Sequence, residues 1–157
     1  IRLTSGTLFD PRPVFGGNGV GDLLESKRGS LDYLDGRWRG TLQDLDIWGE
    51  LPGPAFVEAV IIGFLSHHRS GIVFPESIML YTGPDREHLS LTAEISPPCA
   101  PCAREIAKKD FSLPVGGKIG CFRLVAHRYA KMPQWCCYRG VENVFTMADN
   151  IIISPML

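Results

Sequence analysis

The segment FVEAVIIGFL, residues 56–65, carries the strongest strand signal in this chain of 157 residues. In a strand, alternate residues lie on opposite faces, and both faces are apolar here: Val60, Ile62 and Phe64 on one, Ala59, Ile61 and Leu65 on the other. A strand that is apolar on both faces is typical of the middle of a sheet that is covered on both sides. The segment therefore predicts a central, buried β-strand.

Shorter apolar or alternating runs surround this segment, and glycines and prolines, 17 and 12 in number, punctuate the chain. The predicted strands are Leu45–Leu51, Ile72–Phe74, Ile78–Thr82, Leu89–Ala93, Ile106–Phe111, Ile119–His127 and Phe145–Ile153. We expect Pro52-Gly53-Pro54 to end the first run, and Pro114 with Gly116-Gly117 to separate the pair after residue 105. No convincing amphipathic helix exceeds two turns. Seven or eight strands at this spacing predict an all-β fold, an antiparallel β-sandwich or jelly roll.

Composition restricts the classes of function. Sixteen Lys and Arg against 17 Asp and Glu give a net charge of −1, which argues against a nucleic-acid partner. The longest apolar run, Ala59–Leu65, is too short for membrane insertion. We expect one globular domain, residues 1–157. Because the chain begins at Ile1 and shows no signal peptide, we interpret it as a mature chain or a piece of a longer protein.

Four groups of segments, in order, resemble one known family. They are RGS (28–30) with DYLDGRWRG (32–40), IIGFL (61–65) with FPESI (74–78), FRLVA (122–126) with KMPQW (131–135), and ADNIII (148–153). Over roughly residues 5–155 the chain resembles a coagulation-factor-type C (discoidin) domain. More narrowly, it is similar to the version at the C-terminus of bacterial chitobiases and β-hexosaminidases of glycoside hydrolase family twenty.

The resemblance implies an eight-stranded antiparallel jelly roll whose termini lie close together. It also implies a non-catalytic accessory domain that binds a glycan or holds the catalytic domain of its parent enzyme. The expected location is that of an exported protein: periplasmic, cell-surface or secreted. Since a fold does not fix a function, the sites need their own argument.

Many members of the family carry a structural Ca²⁺, and the resemblance implies Glu25, Ser30 and Asn150 as its ligands here. The family has an Asp-Gly turn where this chain has Glu25-Ser26, and a Glu where it has Asn150. Because Ca²⁺ takes six to eight oxygen ligands, both departures weaken the site. The alternative is a loop that is held by hydrogen bonds alone.

A sugar site pairs an aromatic platform with a few polar groups, because a pyranose has an apolar face and a hydroxyl rim. Two predicted strand-end loops, 66–70 and 134–139, combine such groups, and Tyr33 and Arg37 lie in a third. The candidate ligand contacts in the two loops are His67, His68, Arg69, Trp135, Tyr138 and Arg139. The alternatives are a solvated His pair and a Trp135 that plugs the end of the sandwich.

The cysteines leave three alternatives open. Cys99 and Cys102 form a C-x-x-C pair, and Cys136-Cys137 adds two adjacent thiols. These four residues are compatible with free thiols, with a disulfide if the domain is exported, or with zinc. The fifth, Cys121, is predicted to be a small core residue.

Three further side chains have structural interpretations. Trp38 is predicted to lie in the core, and Arg123, inside a strand, to pair with a buried acid. Trp48, on the polar side of its strand, is either a lone exposed aromatic or a contact between domains.

A catalytic function is the weakest of the hypotheses. Asp44 and Asp46 share one face of a strand, but the sequence implies no cleft around them and contains no G-x-S-x-G elbow. The sequence thus predicts a carbohydrate-binding or accessory domain, not itself an enzyme, from an exported bacterial glycoside hydrolase of the chitobiase type.

The rival hypothesis is a structural or protein-binding module that packs on the catalytic domain and has no sugar site. A shallow loop pocket with an aromatic beside His or Arg would favour the sugar. A surface patch that joins Trp48 and Met79 would favour the rival.

Overall fold

Antiparallel β-sheet makes up nearly all the regular structure of the computed structural model, which describes residues 1–24, 28–98, 106–133, 136, 138 and 143–156. The strands are β1 (Arg2–Ser5), β2 (Arg39–Thr41), β3 (Leu45–Ser66), β4 (Ser77–Gly83), β5 (Ser90–Ile95), β6 (Ala107–His127) and β7 (Thr146–Pro155). A four-residue helix, α1 (Pro13–Gly16), and 3-10 turns at Val20–Leu24 and His68–Ser70 are the helical elements of these residues. The predicted all-β sandwich is confirmed, with seven strands in the described part of the chain.

Two long strands, β3 and β6, run through both layers of the sandwich. In one layer, the first half of β3 lies between β1 and the second half of β6. That half of β6 pairs on its other side with β4, and β4 pairs with β5. The second half of β3 lies between β7 and the first half of β6, and β2 pairs with β7. One hydrogen-bonded sheet therefore folds over itself to form two layers, ordered β1-β3-β6-β4-β5 and β2-β7-β3-β6.

The structure departs from the predicted strands most clearly at two predicted interruptions and at one short predicted strand. Pro52-Gly53-Pro54 does not end a strand: β3 continues through it, with a register shift between Glu50 and Ala55. Likewise, Pro114 and the following glycines lie inside β6, where Gly116 has a φ of +63°. Proline removes a ladder donor and glycine allows a bend, so both sites interrupt pairing and turn the strand into the other layer. The segment Ile72–Phe74 forms only isolated bridges, from Ile72 to His67 and to Phe145.

The predicted central strand is confirmed at 56–65. Val60, Ile62 and Phe64 are fully buried in the main core, to which both layers contribute, and the Phe64 and Phe111 rings lie 6.0 Å apart. On the opposite face of β3, Leu65 packs in a second cluster with Phe15, Trp38, Ile72 and Met147. The other end of that face is open, since Phe56 is 60% exposed.

Trp38, Cys121 and Arg123 were each predicted to have a structural role. Trp38 is completely buried, as predicted, and Cys121 is buried too. Arg123 makes two hydrogen bonds to Asp46, of 2.9 and 2.8 Å, so it pairs with an acid, although that acid is half-buried rather than buried. In the described ranges, none of the helices has the length and apolar character needed to cross a membrane.

Candidate functional site

A shallow pocket of about 180 Å³ opens at the end of the sandwich where β3 gives way to the turn at 67–72. We call it the Tyr33 pocket. It is lined by Arg12, Phe15, Tyr33, Ser70, Ile72, Phe145 and Met147. These residues come from four separate parts of the chain: the segment around α1, the loop before β2, the turn after β3 and the start of β7. The pocket therefore exists only in the folded sandwich.

Aromatic rings form the wall of the pocket. Phe15, which is buried, lies 6.2 Å from Tyr33 in a stacked arrangement and 6.2 Å from the tilted ring of Phe145. Tyr33 and Phe145 are half-buried, so parts of both rings face the solvent. An aromatic ring that packs against the protein on one side and is exposed to solvent on the other can stack on the apolar face of a sugar.

Arg12 brings a positive charge to the same pocket. Its guanidinium carbon lies 4.7 Å from the Phe15 ring centre and 5.8 Å from that of Phe145. Two hydrogen bonds to Asp10, of 2.9 and 2.8 Å, fix its orientation, and the Arg12 hydrogen bond holds the pKa of Asp10 below its usual value. The guanidinium thus remains ordered although Arg12 is exposed.

His67 lies against the outer edge of the aromatic wall. Its ring meets Tyr33 edge-on at 5.3 Å, and its Nε2 lies 3.3 Å from the Ser70 hydroxyl. Its Nδ1 is buried and has no hydrogen-bond partner among the described residues. Burial, and then the positive charge of Arg69, lower the pKa of His67, so the imidazole is neutral at pH 7. A neutral imidazole can both donate and accept, as sugar hydroxyls require.

The other predicted ligand contacts are placed differently. His68 is only 2% exposed, and its Nδ1 lies 3.6 Å from the Sγ of Cys136, so this side chain supports the loop from inside. Arg69 is exposed, and Tyr138 is half-buried against a small cluster that contains Cys136. The two predicted loops do meet, through His68 and Cys136. Trp135 and Arg139 lie outside the described residues.

Sequence reasoning singled out Tyr33 and His67 but missed Arg12, Phe15 and Phe145. These three residues carry no local signature of a site, because their proximity depends on how α1 and the start of β7 pack. The weak signals are the turn-forming prolines on either side of Arg12 and the single exposed charge between them.

The predicted calcium loop is held by hydrogen bonds wherever it is described. The Ser30 hydroxyl donates to Asp35 at 2.7 Å, the Ser30 carbonyl accepts from the Trp38 indole at 2.9 Å, and the Gly29 amide donates to Asp149 at 2.9 Å. Within the described ranges no three His, Cys, Asp or Glu side chains are grouped as a metal site would require. Glu25 lies outside these ranges, so the calcium site stays a prediction.

Asn150 and Asp149 are neighbours on β7, and both are buried. The pairing with β3 shifts register here: Ile62 pairs with Ile151 and Phe64 with Ala148, so Asp149 and Asn150 lie together opposite Gly63 at a β-bulge. Asp149 is the acidic group that contacts the loop, and burial raises its pKa. Asn150, the predicted ligand, lines a mainly apolar groove beside Arg28 and Ile1.

Of the cysteines, Cys121 and Cys136 are free thiols and both are buried. Burial, and then the charge of Glu50, raise the pKa of the Cys121 thiol, which keeps it protonated and unreactive. Cys99, Cys102 and Cys137 lie outside the described residues, so the choice between thiols, disulfide and zinc is untested for them.

The two carboxylates that were considered as hydrolase residues, Asp44 and Asp46, interact with neighbouring groups of the protein. Asp46 is bound by Arg123, and Asp44 accepts a 2.9 Å hydrogen bond from the Arg128 amide and lies 3.3 Å from the His127 imidazole. Asp44 precedes β3, so the prediction that the two carboxylates share one strand face is wrong, and each is held by its own neighbours.

Trp48 and Met79 lie on the same outer face of the first layer. The guanidinium carbons of Arg86 and Arg123 lie 4.5 and 4.8 Å from the Trp48 ring centre, and Arg123 stands between Trp48 and Tyr81 in the strand register. Charged groups thus interrupt the patch that would have favoured a protein-binding module.

Comparison with solved structures identifies the fold of the chain, whereas comparison of sequences finds no relative. No protein-family model matches the chain, and no curated protein sequence is similar to it. Among solved structures, CpGH89CBM32-5 from Clostridium perfringens, in complex with GalNAc-β-1,3-galactose, aligns with a TM-score of 0.60 at 14% identity over 98% of this chain and 94% of that one. The chain has the β-sandwich fold of a CBM32 carbohydrate-binding module.

Two further structures agree. CpGH89CBM32-4, produced by Clostridium perfringens and in complex with GlcNAc-α-1,4-galactose, gives a TM-score of 0.56 at 12% identity, covering 97% of this chain and 88% of that chain. GH31 CBM32-2 bound to GalNAc gives 0.58 at 10% identity, covering 99% and 100%. All three neighbours are modules of glycoside hydrolases, and at such low identity the likeness concerns the fold alone.

Proposed function

We propose that this chain is a non-catalytic carbohydrate-binding module and that the Tyr33 pocket is its glycan site. The observation that carries the proposal is the pocket itself: the rings of Phe15, Tyr33 and Phe145, with Arg12 and His67 at its edge. The rings suit the apolar face of a pyranose, and the guanidinium and imidazole suit its hydroxyls. Solved neighbours of the same fold hold sugars, which supports the same class of ligand here.

We infer further that the parent protein is an exported bacterial glycoside hydrolase. The fold supports an accessory module of such an enzyme, since the solved neighbours belong to GH89 and GH31 proteins. The narrower inference of a chitobiase-like parent, outside the cytoplasm, rests on the RGS, DGRW and FPE segments of the sequence. A structural Ca²⁺ near Ser30 belongs to the same set of inferences.

The proposal is tested by screening the isolated domain against a glycan array and measuring affinity for the best ligand. Tyr33→Ala should weaken binding by about tenfold or more, because a lost aromatic contact of roughly 1.5 kcal/mol corresponds to that factor. Since Tyr33 is half-buried, its removal should change the free energy of unfolding by only about 1 kcal/mol.

The matched control is Tyr81→Ala, which removes a half-buried tyrosine from β4 and leaves the Tyr33 pocket intact. This variant should bind like the wild type. Wild-type affinity in Tyr33→Ala, or an equal loss in both variants, would remove the Tyr33 pocket as the glycan site. A domain that binds no glycan would favour the purely structural module.

A further inference from the structure

A second pocket, of about 270 Å³, lies beside α1, which contributes Pro13 to its lining. We call it the arginine pocket, and its lining is Pro13, Gly17, Asn18, Asp22, Gly36, Arg37 and Arg39. It shares two of the four parts of the chain that form the Tyr33 pocket, the segment around α1 and the loop before β2, and adds Arg39 from the start of β2. The two pockets therefore occupy the same end of the sandwich.

Arg39 forms the buried part of the arginine pocket. It begins β2, where it pairs with Ala148 of β7, and it is only 4% exposed. Its guanidinium donates to Asp22 at 3.3 Å and to the carbonyl of Gly36, while its Nε–H has no partner among the described residues. A guanidinium carries five N–H donors; Nε is itself buried and Nη1 and Nη2 have one partner each, so the donors that Arg39 can offer the pocket are the remaining Nη–H groups.

The backbone is shaped to admit this guanidinium. Gly17 has a φ of +51°, and a Cβ at that position would overlap with the Nη1 atom of Arg39. The carboxylate of Asp22 is shared, because it also accepts a 2.8 Å hydrogen bond from the Asn18 amide. One shared carboxylate thus faces a buried guanidinium that is only partly hydrogen-bonded.

Arg37 adds a second positive charge at the exposed rim. Its guanidinium donates to the Arg28 carbonyl at 3.1 Å, which leaves further N–H groups for a ligand. The nearby Asp35 carboxylate interacts electrostatically with Arg37, but its oxygens accept from the Ser30 hydroxyl and from the amides of Ser30 and Arg37. The charged residues that line the pocket are two arginines and one aspartate, an excess of one positive charge.

We propose that the arginine pocket binds the anionic group of an acidic saccharide, a carboxylate or a sulfate ester. Arginine is suited to both, because its planar fork matches the paired oxygens of these groups. The proposal rests on the proposed function, since it names acidic glycans as the ligand class of a carbohydrate-binding module. The Tyr33 pocket would receive an apolar sugar face, and the arginine pocket a charged substituent nearby.

The test measures affinity for galacturonate, for galactose 6-sulfate and for uncharged galactose by titration calorimetry at low salt. We expect at least one acid to bind about tenfold tighter than galactose, which is the gain of one charge-assisted hydrogen bond. The two acids distinguish a carboxylate from a sulfate ester as the preferred group. At an ionic strength of about 1 M, where the Debye length is ~3 Å, the advantage should shrink.

Arg37→Gln is the variant to compare, because Arg37 is exposed, whereas replacing Arg39 would break a buried ion pair and destabilise the domain. The Arg37→Gln substitution should remove most of the difference in affinity between the acid and galactose. The control, Arg2→Gln, removes another exposed arginine, on β1, and should keep the advantage. As a second readout, the Nε–H resonance of Arg39 should shift when the acid is added to the wild-type domain.

The outcomes separate this inference from the proposed function. If galactose binds as tightly as both acids, or if Arg37→Gln and Arg2→Gln lose the advantage equally, the arginine pocket is not an anion site, while the proposed function stands. If the acids bind in an Arg37-dependent way and Tyr33→Ala changes no affinity, the anion site stands and the Tyr33 pocket fails.

Discussion

Gly29 and Trp38 form the contact on which the ligand-bearing end of the sandwich depends. A Cβ on residue 29 would overlap with the indole of Trp38, so only glycine allows the loop to lie against this buried ring. Two hydrogen bonds fix the same loop: the Gly29 amide donates to the Asp149 carboxylate, and the Trp38 indole donates to the Ser30 carbonyl. The loop that follows carries Tyr33 and Arg37, so these contacts position both pockets.

Phe64 tests the core at the scale of one residue. It is fully buried in the middle of β3, so Phe64→Ala should leave a cavity and lower the free energy of unfolding by roughly 3–5 kcal/mol. Phe56→Ala, on the exposed end of the same strand, is the matched control and should cost about 1 kcal/mol or less. Urea denaturation measures both; similar costs for the two variants would mean that the assigned faces of β3 are wrong.

His68 predicts a dependence of stability on pH. Burial, and then the charge of His67, lower the pKa of His68 in the folded protein below its ordinary value near 6.5. The unfolded chain therefore binds a proton first as the pH falls. The stability that this histidine contributes is complete above about pH 6.5 and is lost as the pH falls toward its folded-state pKa.

Thermal unfolding between about pH 7.5 and 5 measures this effect. In His68→Gln the decline in stability should become shallower than in the wild type, whatever the absolute cost of the substitution. Ser90→Ala, which changes an exposed side chain on β5 that carries no titratable group, should keep the wild-type slope. Equal slopes in all three proteins would contradict a buried, neutral His68.

At the scale of elements, the bends of β3 and β6 show what a local pattern can and cannot predict. The sequence predicted a strand end at Pro52-Gly53-Pro54, since proline cannot donate to a ladder, but β3 continues through it with a register shift. It could not distinguish a strand end from a corner, because that depends on whether a partner continues alongside. Here β6 continues beside β3, and the pairing resumes at Ala55 and Ile119.

The loop at residues 28–30 is the element that calcium would stabilise. Because Ser30 already donates to Asp35 and accepts from Trp38, we expect chelation with EDTA to lower the melting temperature only slightly. The measurement is a thermal melt with EDTA, followed by addition of excess Ca²⁺. A drop of more than about 4 °C, roughly 1 kcal/mol for a domain of this size, that Ca²⁺ reverses would show that the metal matters more than this hydrogen-bonded loop indicates.

For the whole molecule, the fold was predictable to a greater degree than the site. The central strand and the sandwich follow from hydrophobic periodicity, which local sequence records directly. The sequence also singled out the loop at 66–70 and Tyr33 as candidates, since polar and aromatic residues at strand ends are typical of binding loops. Arg12, Phe15 and Phe145 were not, because only the packing of distant segments brings them to Tyr33.

NMR can locate the glycan on the domain and so show whether it binds at the Tyr33 pocket. Amide resonances of the ¹⁵N-labelled domain are followed during titration with the best ligand from the array. If the glycan binds there, the largest shifts should fall on Arg12, Phe15, Tyr33, Ser70 and Phe145. Largest shifts around Glu50 and Arg86, which line a separate pocket with Pro84 and Cys121, or no shift at any residue, would contradict binding at the Tyr33 pocket.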